Sequence, residues 1–288
     1  MNPELLQAVQ VAVLIMAGLG VFFASLLALA DRYLHVEEDP RLEEVEKLLP
    51  GNNCGACGQP GCAAFAAELV KGTAKPGQCT VSTPENLARI AEFLGVDVGA
   101  GEKRVARLKC GGGEGMVTHL ADYRGVKSCR AAVIVDGGGR ACPWGCLGLG
   151  DCERSCTFDA ISMNWEGLPQ VSVELCTACE DCVEACPLDL FTIVPLSHKL
   201  FVQCSSPLTG EEARARCAAA CDACGRCAAD SPPGVIEIVD GLPVIHYDRD
   251  RKPSERATWR CPTGAIVWLE GDQFTQPLVE ISRERIRA

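Results

Sequence analysis

No charged residue occurs between Glu4 and Asp31, and the stretch AVQVAVLIMAGLGVFFASLLALA is apolar on every face. At about 1.5 Å of rise per residue the run outreaches a hydrocarbon core about 30 Å thick, so a single spanning helix is predicted. A cleaved leader would need a basic N-region and a shorter apolar core, but an acidic residue, Glu4, precedes this one. No Lys or Arg precedes the run, whereas Arg32, Arg41 and Lys47 follow it. The positive-inside rule then predicts a single-pass protein of the inner (cytoplasmic) membrane, with its soluble part on the cytoplasmic side. Beyond the span, DRYLHVEEDPRLEEVEKLLPG repeats Leu and Val at helical spacing and sets Glu43 four residues before Lys47, which predicts a short amphipathic helix. A second helix is predicted after Cys62, ending near Gly72. Further on, FDAISMNWEGLPQVSVEL reads as two short strands around a Gly-Leu-Pro turn, and GVKSC and LFVQC read as strand-like runs.

Composition then decides what holds such short elements together. The chain has 288 residues, with only 8 Phe but 20 Cys. Small modules bury little surface and need a further constraint. On the reducing side of a membrane disulfides are disfavoured, which leaves metal centres. With 27 basic against 38 acidic residues the formal charge is −11, which argues against nucleic acid as a partner.

The cysteines fall into three kinds of run. The first is Cys54-x2-Cys57-x4-Cys62 with Cys79 further on, in the glycine-rich text NNCGACGQPGC. Four thiolates satisfy a [4Fe–4S] cluster or a zinc ion, and zinc sites usually pair two knuckles, which this run lacks. The second, Cys176-x2-Cys179-x2-Cys182-x3-Cys186-Pro187, has bacterial ferredoxin spacing, in which the fourth Cys ligates the other cluster. A partner run lies upstream, Cys142-x3-Cys146-x5-Cys152-x3-Cys156, expanded and followed by Thr157 instead of Pro. Crossed ligation predicts one cluster on Cys142, Cys146, Cys152 and Cys186, and another on Cys156, Cys176, Cys179 and Cys182. The third run is Cys221-x2-Cys224-x2-Cys227, with a distant Cys261-Pro262.

An internal repeat explains the third run. An offset of 75 carries Cys129 to Cys204, Cys142 to Cys217, Cys146 to Cys221, Cys152 to Cys227 and Cys186 to Cys261. Gly167-Leu168-Pro169 recurs as Gly241-Leu242-Pro243 after a one-residue shift. The counterparts of Cys156, Cys176, Cys179 and Cys182 are Ser231 and residues of DRDRKPSERATWR, none of them Cys. One whole ligand set is missing, so the second module is expected to hold one cluster, on Cys221, Cys224, Cys227 and Cys261. Cys217 is the alternative to Cys224, and the standard spacing favours Cys224. Four cysteines remain, and a fifth cluster on Cys110, Cys129, Cys204 and Cys217 is arithmetically open, against a reading as packed thiols. The fold expected is α+β: a transmembrane anchor over 1–31, a small helical 4Fe–4S module with an acidic linker over 32–100, a two-cluster ferredoxin-like domain over 101–196 and a degenerate ferredoxin-like domain over 197–288.

The single span followed by CGACGQPGC, CPWGCLGLGDC and CTACEDCVEACP resembles the B subunit of the Rnf complex, over nearly the whole chain. The resemblance implies a membrane-anchored iron–sulfur subunit of an ion-translocating ferredoxin:NAD oxidoreductase. Its implied partners are soluble ferredoxin and the other membrane and flavin-bearing subunits. It implies clusters on Cys54, Cys57, Cys62 and Cys79 and on the two crossed sets of the first ferredoxin-like domain. No catalytic residue of the chain's own is expected, because neither the four His nor the glycine runs at 111–113 and 137–139 fit a catalytic or dinucleotide-binding pattern. A standalone membrane-anchored polyferredoxin serving another reductase is the alternative. The basic stretch Arg249, Arg251, Lys252, Arg256 and Arg260 is a candidate dock for an acidic ferredoxin, or else an ordinary solvated loop.

Overall fold

The computed structural model describes residues 3–34, 39–99, 101–248 and 251–275. The apolar run forms one helix, α1 (Pro3–Leu34), and its Gln10–Ala30 window has a mean hydropathy of 2.5 with no side chain buried against the rest of the chain. Three helices make the next unit: α2 (Pro40–Leu48), α3 (Cys62–Lys71) and α4 (Pro84–Leu94). Each begins or ends on a recognisable cap. The Asp39 carboxylate accepts the Arg41 N–H at 2.9 Å ahead of Pro40, and Gly72 closes α3 in the left-handed region at φ 77°. Val45, Phe65, Ala66, Leu69 and Ile90 from the three helices form their common core, and the Glu43–Lys47 pair lies on the solvent side at 2.9 Å.

Two strand pairs follow, and then the pattern repeats. The first half contains β1 (Arg104–Leu108), α5 (Cys129–Ile134), α6 (Asp151–Ser155), β2 (Ile161–Met163), β3 (Pro169–Val171), α7 (Asp181–Ala185) and β4 (Phe191–Pro195). The second contains β5 (Leu200–Val202), α8 (Gly210–Arg216), α9 (Arg226–Ala229), β6 (Ile236–Val239), β7 (Leu242–Ile245), α10 (Arg256–Trp259) and β8 (Ile266–Trp268). In the first half β1 pairs antiparallel with β4 and β2 with β3; in the second β5 pairs with β8 and β6 with β7. The offset of 75 that aligns the cysteines also carries α6 onto α9 and α7 onto α10. The predicted hairpin forms, with Gly167 at φ 69° in its turn. LFVQC does begin as a strand, but GVKSC does not. The Ser128 hydroxyl and the Arg130 amide both donate to the Asp151 carboxylate, at 3.0 and 3.1 Å, and Cys129 instead opens α5.

The two halves are tied by their last described residues. Gln273 is fully buried; its side chain accepts the Leu108 N–H at 3.0 Å and donates to the Leu108 carbonyl at 2.9 Å, completing the free edge of β1 as a strand would. The Asp272 carboxylate accepts the Val173 N–H at 2.7 Å. The N-terminal unit touches the first half where the Thr80 hydroxyl donates to the Thr177 carbonyl at 2.7 Å.

Candidate metal-cluster sites

All 20 cysteines are free thiols, and they lie in sets. In the N-terminal unit the left-handed Gly55 and Gly58 fold the chain back between Cys54 and Cys62, with the Gly58 N–H on the Gly55 carbonyl at 2.8 Å. The Asn53 side-chain oxygen accepts the Cys62 N–H at 2.7 Å and fixes the start of α3. Burial pushes the Cys79 thiol above its ordinary pKa, and Cys57 and Cys54 are close enough to add to the shift. Cys57, Cys62 and Cys79 pack against the three-helix core.

Three loops downstream share one backbone shape. After Cys146, Cys176 and Cys221, the second and fourth residues are all left-handed: Gly148 and Gly150, Ala178 and Glu180, Ala223 and Gly225. For an alanine that conformation costs about 1 kcal/mol, so Ala178 and Ala223 hold it against their preference. Each loop curls around a centre and runs into a one-turn helix carrying the next buried cysteine, Cys152, Cys182 or Cys227. The middle position of the loop is Cys179 in one and Cys224 in another, but Leu149 in the first. That loop lacks a thiol there, and Cys129 lies against it instead. A small apolar cavity is walled by Cys129, Cys146, Cys152 and Cys186, and the thiols of Cys129 and Cys186 both act on Cys152. This departs from the expected grouping, which placed Cys142 there and left Cys129 over. Cys142 is directed to the other side, among Cys204 and Cys217.

The other two sets stay as the spacing groups them. Cys176, Cys179 and Cys156 all act on the Cys182 thiol, which burial pushes well up. Cys221, Cys224, Cys227 and Cys261 line a second small cavity. Burial raises Cys152 and Cys221 to about 12 and Cys227 to about 11. Such thiols keep their protons at neutral pH until a metal's charge displaces them. Backbone amides already aim at several sulfurs: Ala160 N–H at Cys156 (3.3 Å), Leu190 N–H at Cys186 (3.5 Å) and Ala106 N–H at Cys176 (3.5 Å). Among the described residues no group of three or more His, Cys, Asp or Glu is drawn tightly enough to hold one metal ion. Sulfurs spread around small, largely apolar cavities, with amides pointing at some of them, fit a [4Fe–4S] cluster better than a zinc ion.

Residues 49–81 match the family model FeS, described as "Putative Fe-S cluster". The B subunit of a Na(+)-translocating ferredoxin:NAD(+) oxidoreductase complex from Acetobacterium woodii is 40% identical over 262 residues, covering 91% of this chain and 78% of that one. The B subunit of an ion-translocating oxidoreductase complex from Methanosarcina acetivorans is 36% identical, covering 83% and 90%. The counterpart in a proton-translocating ferredoxin:NAD(+) oxidoreductase complex from Clostridium ljungdahlii is 34% identical, covering 88% and 89%. The chain belongs to this family of B subunits.

Around the cysteines of this family member stand charged residues that spacing alone does not reveal. Arg107 lies on β1 at 2% exposure, beside Cys176 and Asp272, and its Nε and one Nη have no hydrogen-bond partner. Burial lowers its pKa, and the two acidic neighbours oppose that. Arg140, partly buried, donates to the carbonyls of Gly112 (3.1 Å) and Cys146 (2.7 Å), and Arg216 donates to that of Ala141 (3.0 Å). In the basic stretch, Arg260 is held by Asp230 at 2.5 and 2.8 Å and Arg256 lies over the Trp259 ring at 5.8 Å. Arg249 lies outside the described residues.

Proposed function

We propose that this chain is the membrane-anchored electron-transfer subunit of an ion-translocating ferredoxin:NAD oxidoreductase complex. α1 would anchor it in the cytoplasmic membrane with the soluble part on the cytoplasmic side, and residues 32–100, 101–196 and 197–288 would be successive cluster-bearing units, the last two ferredoxin-like. Bound [4Fe–4S] clusters take up and release single electrons, and that is the chemistry the site would supply. Four are assigned: on Cys54, Cys57, Cys62 and Cys79; on Cys129, Cys146, Cys152 and Cys186; on Cys156, Cys176, Cys179 and Cys182; and on Cys221, Cys224, Cys227 and Cys261.

The protein's own contribution is to hold thiolates, keep water away and set the local charge. The observation that carries the reading is the chain of contacts between sets. Thr80 of the N-terminal unit bonds Thr177 inside the Cys176 loop, and Cys152 acts on Cys182 across the first repeat. Cys224 is the exposed member of the twenty, which makes its set the natural face toward a soluble donor such as ferredoxin. Mixing the anaerobic full-length protein with reduced ferredoxin should oxidise the ferredoxin as reduced-cluster EPR signals grow in the chain. A chain that accepts no electrons would overturn the reading. Reversing the charges of Arg251 and Lys252 should slow this step more at low salt than at high salt. An unchanged rate would remove the basic stretch as the dock.

A further inference from the structure

Four cysteines lie outside the sets assigned above: Cys110, Cys142, Cys204 and Cys217. They come from three separate stretches of chain and meet at one place. Each of the six pairs among them is close enough to interact electrostatically. A side chain added at Gly112 would put its Cβ 3.0 Å from the Cys217 sulfur and 3.6 Å from that of Cys110, so the two sulfurs face each other across this glycine. Cys110, Cys142 and Cys217 are buried, and Cys204 is partly so. Met116, Val117, Trp144 and Leu208 pack around them.

The frame around the four is built, not incidental. Cys110 follows β1 and Cys204 follows β5, and the two ends are joined by the Gly111 N–H on the Gln203 carbonyl at 2.9 Å. The strand-like piece 117–119 bridges Val117 to Cys217 on one side and His119 to Arg140 on the other. The Cys110 sulfur receives two amide N–H groups, from Cys146 at 3.2 Å and Gly112 at 3.4 Å. Two donors on one sulfur suit a thiolate acceptor, the form a metal requires.

Ligand counting points the same way. Leu149 replaces the middle thiol of the Cys146 loop, so Cys129 is drawn into that set and its neighbour Cys142 is released. In the repeat the middle thiol is present as Cys224, so Cys204, the counterpart of Cys129, is released instead. Cys142, Cys204, Cys217 and Cys110 are what this exchange leaves over.

We propose that Cys110, Cys142, Cys204 and Cys217 ligate a fifth [4Fe–4S] cluster at the junction of the two repeats. Its place gives it a task. Cys110 acts on Cys146 of the neighbouring set on one side, and Cys204 acts on Cys221 of the next set on the other. The tetrad therefore bridges the Cys129 set and the Cys224 set. The inference rests on the cluster-bearing reading above but is separable from it.

The test is iron, acid-labile sulfide and zinc per chain on the anaerobically purified full-length protein, with spin counting after full reduction. Five clusters give about 20 iron and 20 sulfide per chain, and four give about 16. The double variant Cys204→Ala/Cys217→Ala should lose about four iron while keeping the EPR signals of the other clusters. A wild-type value near 16 without zinc makes the tetrad a set of packed thiols. The same value with about one zinc makes it a structural zinc site, and either result overturns the proposal. A protein with no iron at all would overturn the broader reading instead. The wild-type count decides the matter even if the variant fails to fold.

Discussion

Cys129 and Cys142 differ little as sequence: each has a repeat partner 75 residues on, and each precedes Cys146. What separates them is Leu149, a single apolar residue where the related loops carry Cys179 and Cys224. The cue was visible in the chain, but it needed the shared left-handed loop shape to become an argument about which thiol must substitute. Arg107 and Gln273 carried no cue at all, because their roles arise from contacts across 165 residues and from burial. Arg107 places positive charge beside Cys176 with donors to spare, so Arg107→Met should make the cluster on the Cys176 set harder to reduce, and potentiometric EPR titration should show its midpoint move to a more negative value. Gln273→Ala would leave the buried N–H and C=O of Leu108 unpaired, at about 1–3 kcal/mol for each group. Faster hydrogen exchange at the Leu108 amide and a lower unfolding midpoint should follow.

At the scale of elements, part of the fold was legible. Helical spacing marked α2, a stop near Gly72 marked α3, and the Gly-Leu-Pro turn marked the β2–β3 hairpin, whose repeat match at Gly241-Leu242-Pro243 falls on β6–β7. The failure at GVKSC has a simple cause: a short β-type run forms a strand only with a partner edge, and here Asp151 offers the backbone hydrogen bonds of a helix start instead. The turns themselves are unequal. Gly72 ends α3 at φ 77° with open space where a side chain would go, so Gly72→Ala should cost about 1 kcal/mol. Gly241 has φ 80°, and an added Cβ would lie 2.6 Å from the Pro207 carbonyl oxygen. Gly241→Ala should therefore lower the thermal midpoint clearly more than Gly72→Ala does and loosen the β6–β7 hairpin, a ranking that paired melting curves check.

For the whole molecule, α1 stands apart from the cysteine-bearing part. None of the α1 side chains between Gln10 and Ala30 is buried within the chain, as a helix facing lipid requires. A chain starting at Asp39 should remain soluble after carbonate extraction and keep the iron content of the full-length protein, whereas the intact chain should stay with the membrane. The cluster-bearing part behaves differently, because its two repeats are interlocked: the tetrad draws thiols from both, and Asp272 and Gln273 reach back from the far end of the second to complete the first. That clasp dictates an order of manufacture. A ribosome delivers residue 110 long before residue 217, and Leu108 long before Gln273. The three-helix unit is free to close around its own four cysteines early in synthesis. The first repeat keeps an open edge on β1 until Gln273 has emerged, and Cys110 and Cys142 stay unmatched until Cys217 has. During that interval the nascent protein would present those sulfurs to the cell, and the machinery that delivers iron and sulfide to the tetrad would have to act after residue 217 has emerged.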